Sequence, residues 1–308
     1  MGAQTVRPIT LERPAALAGQ RIIDAHNHMN FHGHGVHDIV RNMEALGIER
    51  TWLLTWEAPE DEYGIGDHAY MSPNHLGVPL DEVIRAVDLY PERFVAGWAV
   101  DPRRPHAIAR LRTAVRTAGV RVYGELKLRM MYDNLDLIAT YRACGELGLP
   151  VIFHLEIELP NPGGSSVGGA ARPYWYGGEF EVVERFLAKC PDTTFVGHAP
   201  GFWREISGDA ERPEMYPRGP LVPGGRLAPL LDRFPNLWCD LSAPSALTAL
   251  SRDPGHTREF ILRNQDRVLF GRDYWDDAHL HFLASLDLPH DVLVKVLSGN
   301  ALRLVPLD

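Results

Sequence analysis

The 308-residue chain predicts an α/β fold, a (β/α)8 TIM barrel with long loops after strands 2, 5 and 6. Three observations carry that prediction. Short apolar runs alternate with amphipathic, helix-like stretches along the whole sequence. The length suits a barrel of about 250 residues with insertions. Ionisable residues fall at the ends of the apolar runs, where a closed parallel barrel would gather them on one face. No shift in composition marks a linker, so residues 1–308 read as one domain with its barrel core at about 21–304. An open doubly wound sheet is the structural rival, because alternation alone does not show closure. No G-x-G-x-x-G follows the first run, which argues against the dinucleotide-binding form.

The first strand is read at Ile22-Ile23-Asp24-Ala25-His26-Asn27-His28-Met29. Side chains two apart share a face of a strand, so Asp24, His26 and His28 are expected to point the same way. A Gly/His-rich loop follows, and then a helix over 37–46 with Ile39, Val40, Met43 and Leu46 at helical spacing and Gly47 as its stop. Strand two is 51–55, and a long polar loop leads to a helix over 80–90 that ends before Pro91. Strand three, 94–100, precedes a helix over 105–118. Strand four is 120–127 and its helix is 135–147, with Gly148 at the end. Strand five, 150–154, opens a long segment rich in Gly, Pro and aromatics, and a helix over 179–189 comes after it. Strand six is 193–198, with a second long loop to 224. A short helix at 226–234 leads to strand seven at 237–240. Helical material over 242–264 is broken near Pro254-Gly255. Strand eight is 267–273, and helices at 278–286 and 291–304 close the chain.

Composition narrows the functional classes. At 45% hydrophobic and 23% charged, the chain is ordinary for a globular protein. A net charge of -9 offers no basic face for nucleic acid or an anionic membrane. No run reaches the ~20 apolar residues that span a bilayer, and residues 1–20 do not read as a secretory signal. Cys144, Cys190 and Cys239 are odd in number and far apart, which suggests a reduced, cytoplasmic chain with buried thiols. The expected partner is a small molecule.

The strand ends carry the chemistry. His26 and His28 end strand one, Glu125 and Lys127 strand four, His154 strand five, His198 strand six, and Asp273 strand eight. Converging imidazoles and carboxylates suit a divalent cation. His32, His34 and His37 are not at strand-regular spacing and read as loop histidines, as do His68 and His75. The long loops over the cup are expected to set specificity, through Trp175 and Trp203 as apolar walls and Lys127, Arg129, Arg172, Arg204 or Arg272 as partners for a substrate carboxylate. Those aromatics can equally pack their own loops onto the rim. Arg272 is expected to point outward, opposite in parity to Asp273.

Asp-x-His-x-His on the first strand, single histidines ending strands five and six, and Phe270-Gly271-Arg272-Asp273-Tyr274 together resemble the metal-dependent amidohydrolase superfamily, in its amidohydrolase-2 branch. Ser298-Gly299-Asn300-Ala301-Leu302-Arg303-Leu304 is similar to that branch's terminal helix. The resemblance implies that His26, His28, His154 and Asp273 ligate a divalent metal, zinc before manganese or iron. It implies Asp273 as the proton-transfer group and His198 as a stabiliser of the developing oxyanion. Gly124-Glu125 resembles the bridging glutamate of a deoxyribonuclease-like branch, which would make two metals; Lys127 is the position of a further bridging candidate, and a Glu125–Lys127 ion pair is the plain alternative. One ion is preferred. The reaction implied is hydrolysis of an amide, ester or lactone, with non-oxidative decarboxylation of an aromatic acid as the alternative and a barrel without turnover as the third reading. A homodimer is the assembly the resemblance implies.

Overall fold

A computed structural model describes residues 11–57, 77–156 and 177–307. The loops expected after strands two and five fall mostly outside these residues, and Trp175, Arg172, His68 and His75 lie there with them.

Among the described residues, eight parallel strands follow one another: β1 (Ile23–Asn27), β2 (Arg50–Leu53), β3 (Phe94–Ala96), β4 (Tyr123–Leu126), β5 (Val151–His154), β6 (Phe195–His198), β7 (Leu237–Asp240) and β8 (Val268–Leu269). Two ladders are continuous, β1-β2-β3 and β4-β5-β6-β7-β8. Main-chain bonds join them at both seams. Trp98 N–H donates to Val122 O at 2.9 Å and Arg121 N–H to Ala96 O at 2.9 Å, linking the ends of β3 and β4. Ala25 N–H donates to Phe270 O at 2.9 Å and Asp273 N–H to His26 O at 2.8 Å, linking β8 to β1. The lumen shows closure independently. One apolar cluster takes Ala25, Trp52, Val95, Val122, Ile152, Val196, Trp238 and Leu269, one residue from each strand or its immediate edge, and Ala301 and Val305 join it from the last helix. The larger apolar cluster fills the space between strands and helices.

The helices form where periodicity and end signals agree. In α1 (Val36–Leu46) the buried face is Ile39, Val40, Met43 and Leu46, and Gly47 ends it with φ of 66°. α2 is Leu80–Leu89 and α3 is Ala107–Thr117. α4 (Leu135–Leu147) starts at Asn134, whose side chain accepts from Asp136 N–H. α5 is Phe180–Lys189; α6, Pro200–Trp203, is a single turn after β6; α7 is Leu227–Arg233. The break at Pro254 separates α8 (Ala243–Ser251) from α9 (Pro254–Asn264), with Asp253 capping the second. α10 is Ala278–Ser285. The terminal helix runs α11 (His290–Val294), a π turn at Lys295–Gly299, and α12 (Asn300–Leu304).

Strand eight departs from expectation. Its ladder stops at Leu269, because Phe270 N–H turns to Val296 O and Asp273 takes a left-handed φ of 47°. Gly271 keeps this crossing close: a β-carbon there would meet His26 Cβ at 3.0 Å and Ser242 Cβ at 3.2 Å.

Candidate metal centre

The strand ends meet in a buried cluster at one rim of the barrel. His26 and His28 come from β1 and its edge. His26 Nδ1–H donates to Asp240 Oδ2 at 2.9 Å, and His28 Nδ1–H donates to Leu54 O at 2.9 Å. His198, ending β6, directs Nδ1 to Asp240 Oδ1 at 3.0 Å and lies 2.9 Å from Ser242 Oγ. With each Nδ1 committed to an acceptor, the Nε2 atoms are left to face inward. His28 Nε2 lies 3.3 Å from Glu125 Oε2 and 3.4 Å from Asp273 Oδ1. His198 Nε2 lies 3.5 Å from Glu125 Oε1 and 3.5 Å from Asp273 Oδ2.

His26 Nε2, His198 Nε2 and Asp273 Oδ1 are buried without a hydrogen-bond partner. Each such atom costs about 1–3 kcal/mol in a closed interior. A cation bound by all of them removes that cost, so the donor set fits a metal. The ligand atoms form two groups, His26 with His28 and Asp273, and His26 with Glu125 and His198. Both use His26, whose one inward nitrogen coordinates a single ion at a time.

The charges are arranged to match. Burial pushes His28 down, but hydrogen bonds and charge from Asp273 and Glu125 outweigh it and bring it up to about 9 in the metal-free chain. His198 is likewise lowered by burial and raised more by Asp240, Asp273 and Glu125, to about 10. Burial alone would raise Asp240, Asp273 and Glu125. The neighbouring histidines hold Asp240 and Asp273 well below the usual carboxylate range, and the charge of Lys127, followed by His154 and His28, does the same for Glu125.

The cluster differs from the sequence expectation in several places. His154 lies beside the donor groups rather than in them: its Nδ1 donates to Glu125 Oε1 at 2.6 Å and its Nε2 faces Glu156 Oε2 at 3.1 Å. Both ring nitrogens are taken by carboxylates. Asp24 does not share the face of His26, because the β1 register is irregular between Asp24 and Asn27. Its carboxylate instead accepts Arg272 Nε–H at 2.8 Å and Arg272 N–H at 3.0 Å. Arg272 points away from the rim cluster, as its parity to Asp273 predicts, but it is fully buried in the helix layer, where its Nη1 donates to Asn42 at 2.7 Å. It is structural, not a partner for a substrate carboxylate.

Trp203 is also corrected. Its ring is wholly buried against Phe202 and Phe260, and Nε1–H donates to Asp240 O at 3.1 Å. The apolar turn after β6 packs inward because it has a core to cover, so no face is left for substrate. Arg204, next along, donates to Arg212 O at 2.6 Å and is held within its own loop. Lys127 remains at the rim, with Nζ 3.6 Å from the centre of the Trp56 ring, and Arg129 is half-buried two residues on. The loop histidines pack on aromatic neighbours: His34 stacks on Trp275 at 3.6 Å and His32 meets Tyr274 edge-on at 5.0 Å. Asp240, Ser242 and Glu156 were not singled out from the sequence. Asp240 carried the same signal as the others, an acid ending a strand-like run.

The sequence profile of a family described as Amidohydrolase matches residues 23–307. No curated protein matches the chain. Among solved structures, an uncharacterized TIM-barrel protein of Bordetella bronchiseptica is 20% identical with a TM-score of 0.60, covering 92% of this chain and 98% of its own. A 5-carboxyvanillate decarboxylase of Novosphingobium aromaticivorans, complexed with manganese and a nitrobenzoic acid, is 14% identical with a TM-score of 0.58, covering 96% and 99%. A probable 2-pyrone-4,6-dicarboxylic acid hydrolase of Acinetobacter baumannii is 11% identical with a TM-score of 0.58, covering 92% and 98%. Among the described residues no helix is long and apolar enough to cross a membrane.

Proposed function

The chain belongs to the amidohydrolase family, and from that premise we propose that it is a metal-dependent hydrolase acting on an amide, ester or lactone bond of a small cyclic or aromatic molecule. The observation that carries the reading is the trio of buried, unpartnered atoms, His26 Nε2, His198 Nε2 and Asp273 Oδ1, with His28 and Glu125 closing around them. These five side chains would hold one divalent cation. Imidazole suits zinc, and the share of carboxylate also suits manganese. When bound, such a cation supplies Lewis acidity, which acidifies water and polarises a carbonyl.

The remaining work falls to the chain. Asp273 is the proton carrier: it is ionised across neutral pH and stands at the edge of the cluster, able to take a proton from water and return it to the leaving group. His198 moves from the oxyanion role expected of it into the donor set. With Nδ1–H committed to Asp240, coordination through Nε2 would leave the ring no second proton to offer a carbonyl. His154 acts from behind, orienting Glu125. Lys127, seated on Trp56, and Arg129 supply positive charge for an anionic group on the substrate.

The manganese-bound decarboxylase of similar fold favours a second reading, decarboxylation of an aromatic acid with Asp273 protonating the ring carbon. The test is to purify the protein without chelator, measure zinc, manganese and iron, and assay lactones, amides, esters and aromatic acids. Metal-dependent ring opening or amide cleavage supports hydrolysis. Release of CO₂ without hydrolysis overturns it in favour of the second reading. Failure to take up any of the metals sinks both and leaves a barrel without turnover.

A further inference from the structure

Asp240 ends β7 between two rings that come from other strands. Its Oδ2 accepts His26 Nδ1–H at 2.9 Å and its Oδ1 accepts His198 Nδ1–H at 3.0 Å. Oδ1 also accepts the backbone N–H of Ser242 at 3.1 Å and the Ser242 hydroxyl at 2.5 Å. Both histidines and the aspartate are fully buried. We propose that Asp240 is a positioning residue that holds His26 and His198 together in the tautomer whose bare Nε2 faces the cation, so that one carboxylate prepares two donors. This rests on the metal reading above.

The argument needs both oxygens. A neutral imidazole has one N–H and one lone pair, and a carboxylate accepts only. A ring held against it must therefore turn its N–H outward to it and leave the opposite nitrogen bare. Two oxygens fix two rings. An amide cannot do this, having one accepting and one donating side. In Asp240→Asn the oxygen must stay at the Oδ1 position, because Ser242 N–H donates there. The NH₂ group then falls opposite His26. It presents hydrogens to Nδ1, which must answer with its lone pair, and the ring proton shifts to Nε2. His26, not His198, is the donor that the variant loses.

The experiment uses the full chain, ¹⁵N-labelled at histidine and loaded with zinc, with affinity measured by chelator competition. In the wild type, both rings are expected to bind zinc through Nε2 with Nδ1 protonated. In Asp240→Asn, affinity is expected to fall by about 10–100-fold, as for other partners of metal-bound histidine. The His26 Nε2 zinc signal should be lost while that of His198 persists. Ser242→Ala, which keeps the carboxylate, should leave both rings zinc-bound. Unchanged affinity and spectra in a folded Asp240→Asn overturn the assignment of Asp240 alone. Zinc on Nδ1 of either ring in the wild type overturns it too, even if the variant never folds. A wild type that takes up no zinc overturns the metal reading, and this inference with it.

Discussion

Two polar clusters hang from the same strand, β1, and they are built for different ends. Asp24 faces the helix layer, where Arg272, Asn27 and the His26 N–H occupy both of its oxygens. Asn42 of α1 takes the other side of Arg272, and one guanidinium nitrogen, Nη2, is left over. His26, two residues on, faces the rim with His28, His198, Glu125 and Asp273, and there the unpartnered atoms come from three strand ends and fall in two donor groups that share His26. Burial and charge are alike in the two. What separates them is whether unmatched polar atoms converge on one point. A buried ion pair between strand and helix is a common device of folding. Converging bare donors cost stability unless something binds them.

That contrast can be broken by experiment. The largest effect is expected from Asp273→Asn, which should lower turnover on whichever substrate the screen identifies by about 10²–10⁴-fold while urea unfolding midpoints stay close to wild type. A comparable loss of stability would mean that Asp273 belongs with Asp24 as a structural residue. Asp24→Ala should do the reverse. It strands Arg272 in the interior and should cost about 3–5 kcal/mol in urea unfolding, with zinc stoichiometry of the folded fraction unchanged.

Protons sharpen the comparison further. In the metal-free chain His28 and His198 are raised above their unfolded values, to about 9 and about 10. Their contribution to stability is therefore complete below about pH 6.5 and is lost as pH rises through 9 to 10. A cation must displace the same protons, so zinc affinity should rise with pH below about 9, by up to about 100-fold per unit if both protons leave together. Calorimetry in buffers of different ionisation enthalpy counts them; release of no protons would place the ion elsewhere. Saturating zinc should raise stability by about 2.7 kcal/mol at a hundred times its Kd, and His26→Ala should abolish that rise. The smallest effect is expected from Ser242→Ala, about 0.5–1.5 kcal/mol for one hydroxyl bond to Asp240, measured by the same unfolding assay.

Much of this was legible along the chain, and the exceptions have physical causes. The helix spans were readable because 3.6-residue periodicity and Gly stops are local; α1 with Gly47 and α4 with Gly148 ended where expected. The rim position of His26, His28, Glu125, His198 and Asp273 followed from parallel strand ends. Parity failed at Asp24 because an irregular register in β1 resets which way side chains turn, whereas Arg272 lies opposite Asp273 as expected and is buried there against Asp24. Trp203 failed because an aromatic beside a long loop looks the same in sequence whether it covers a core or lines a pocket.

The order of residue types along the chain by itself determined the alternation of strands and helices, the family, and which end of the barrel would carry the ionisable groups, since periodicity and end signals act between near neighbours. Only the tertiary structure decided which of those groups meet. That Asp240 serves two rings from β1 and β6, that Glu125 and Glu156 take both nitrogens of His154, and that Asp24 belongs to Arg272 are matters of distance across the barrel. Hydrogen bonds and ion coordination depend on separations of about 3 Å between atoms, and no spacing in one dimension encodes them.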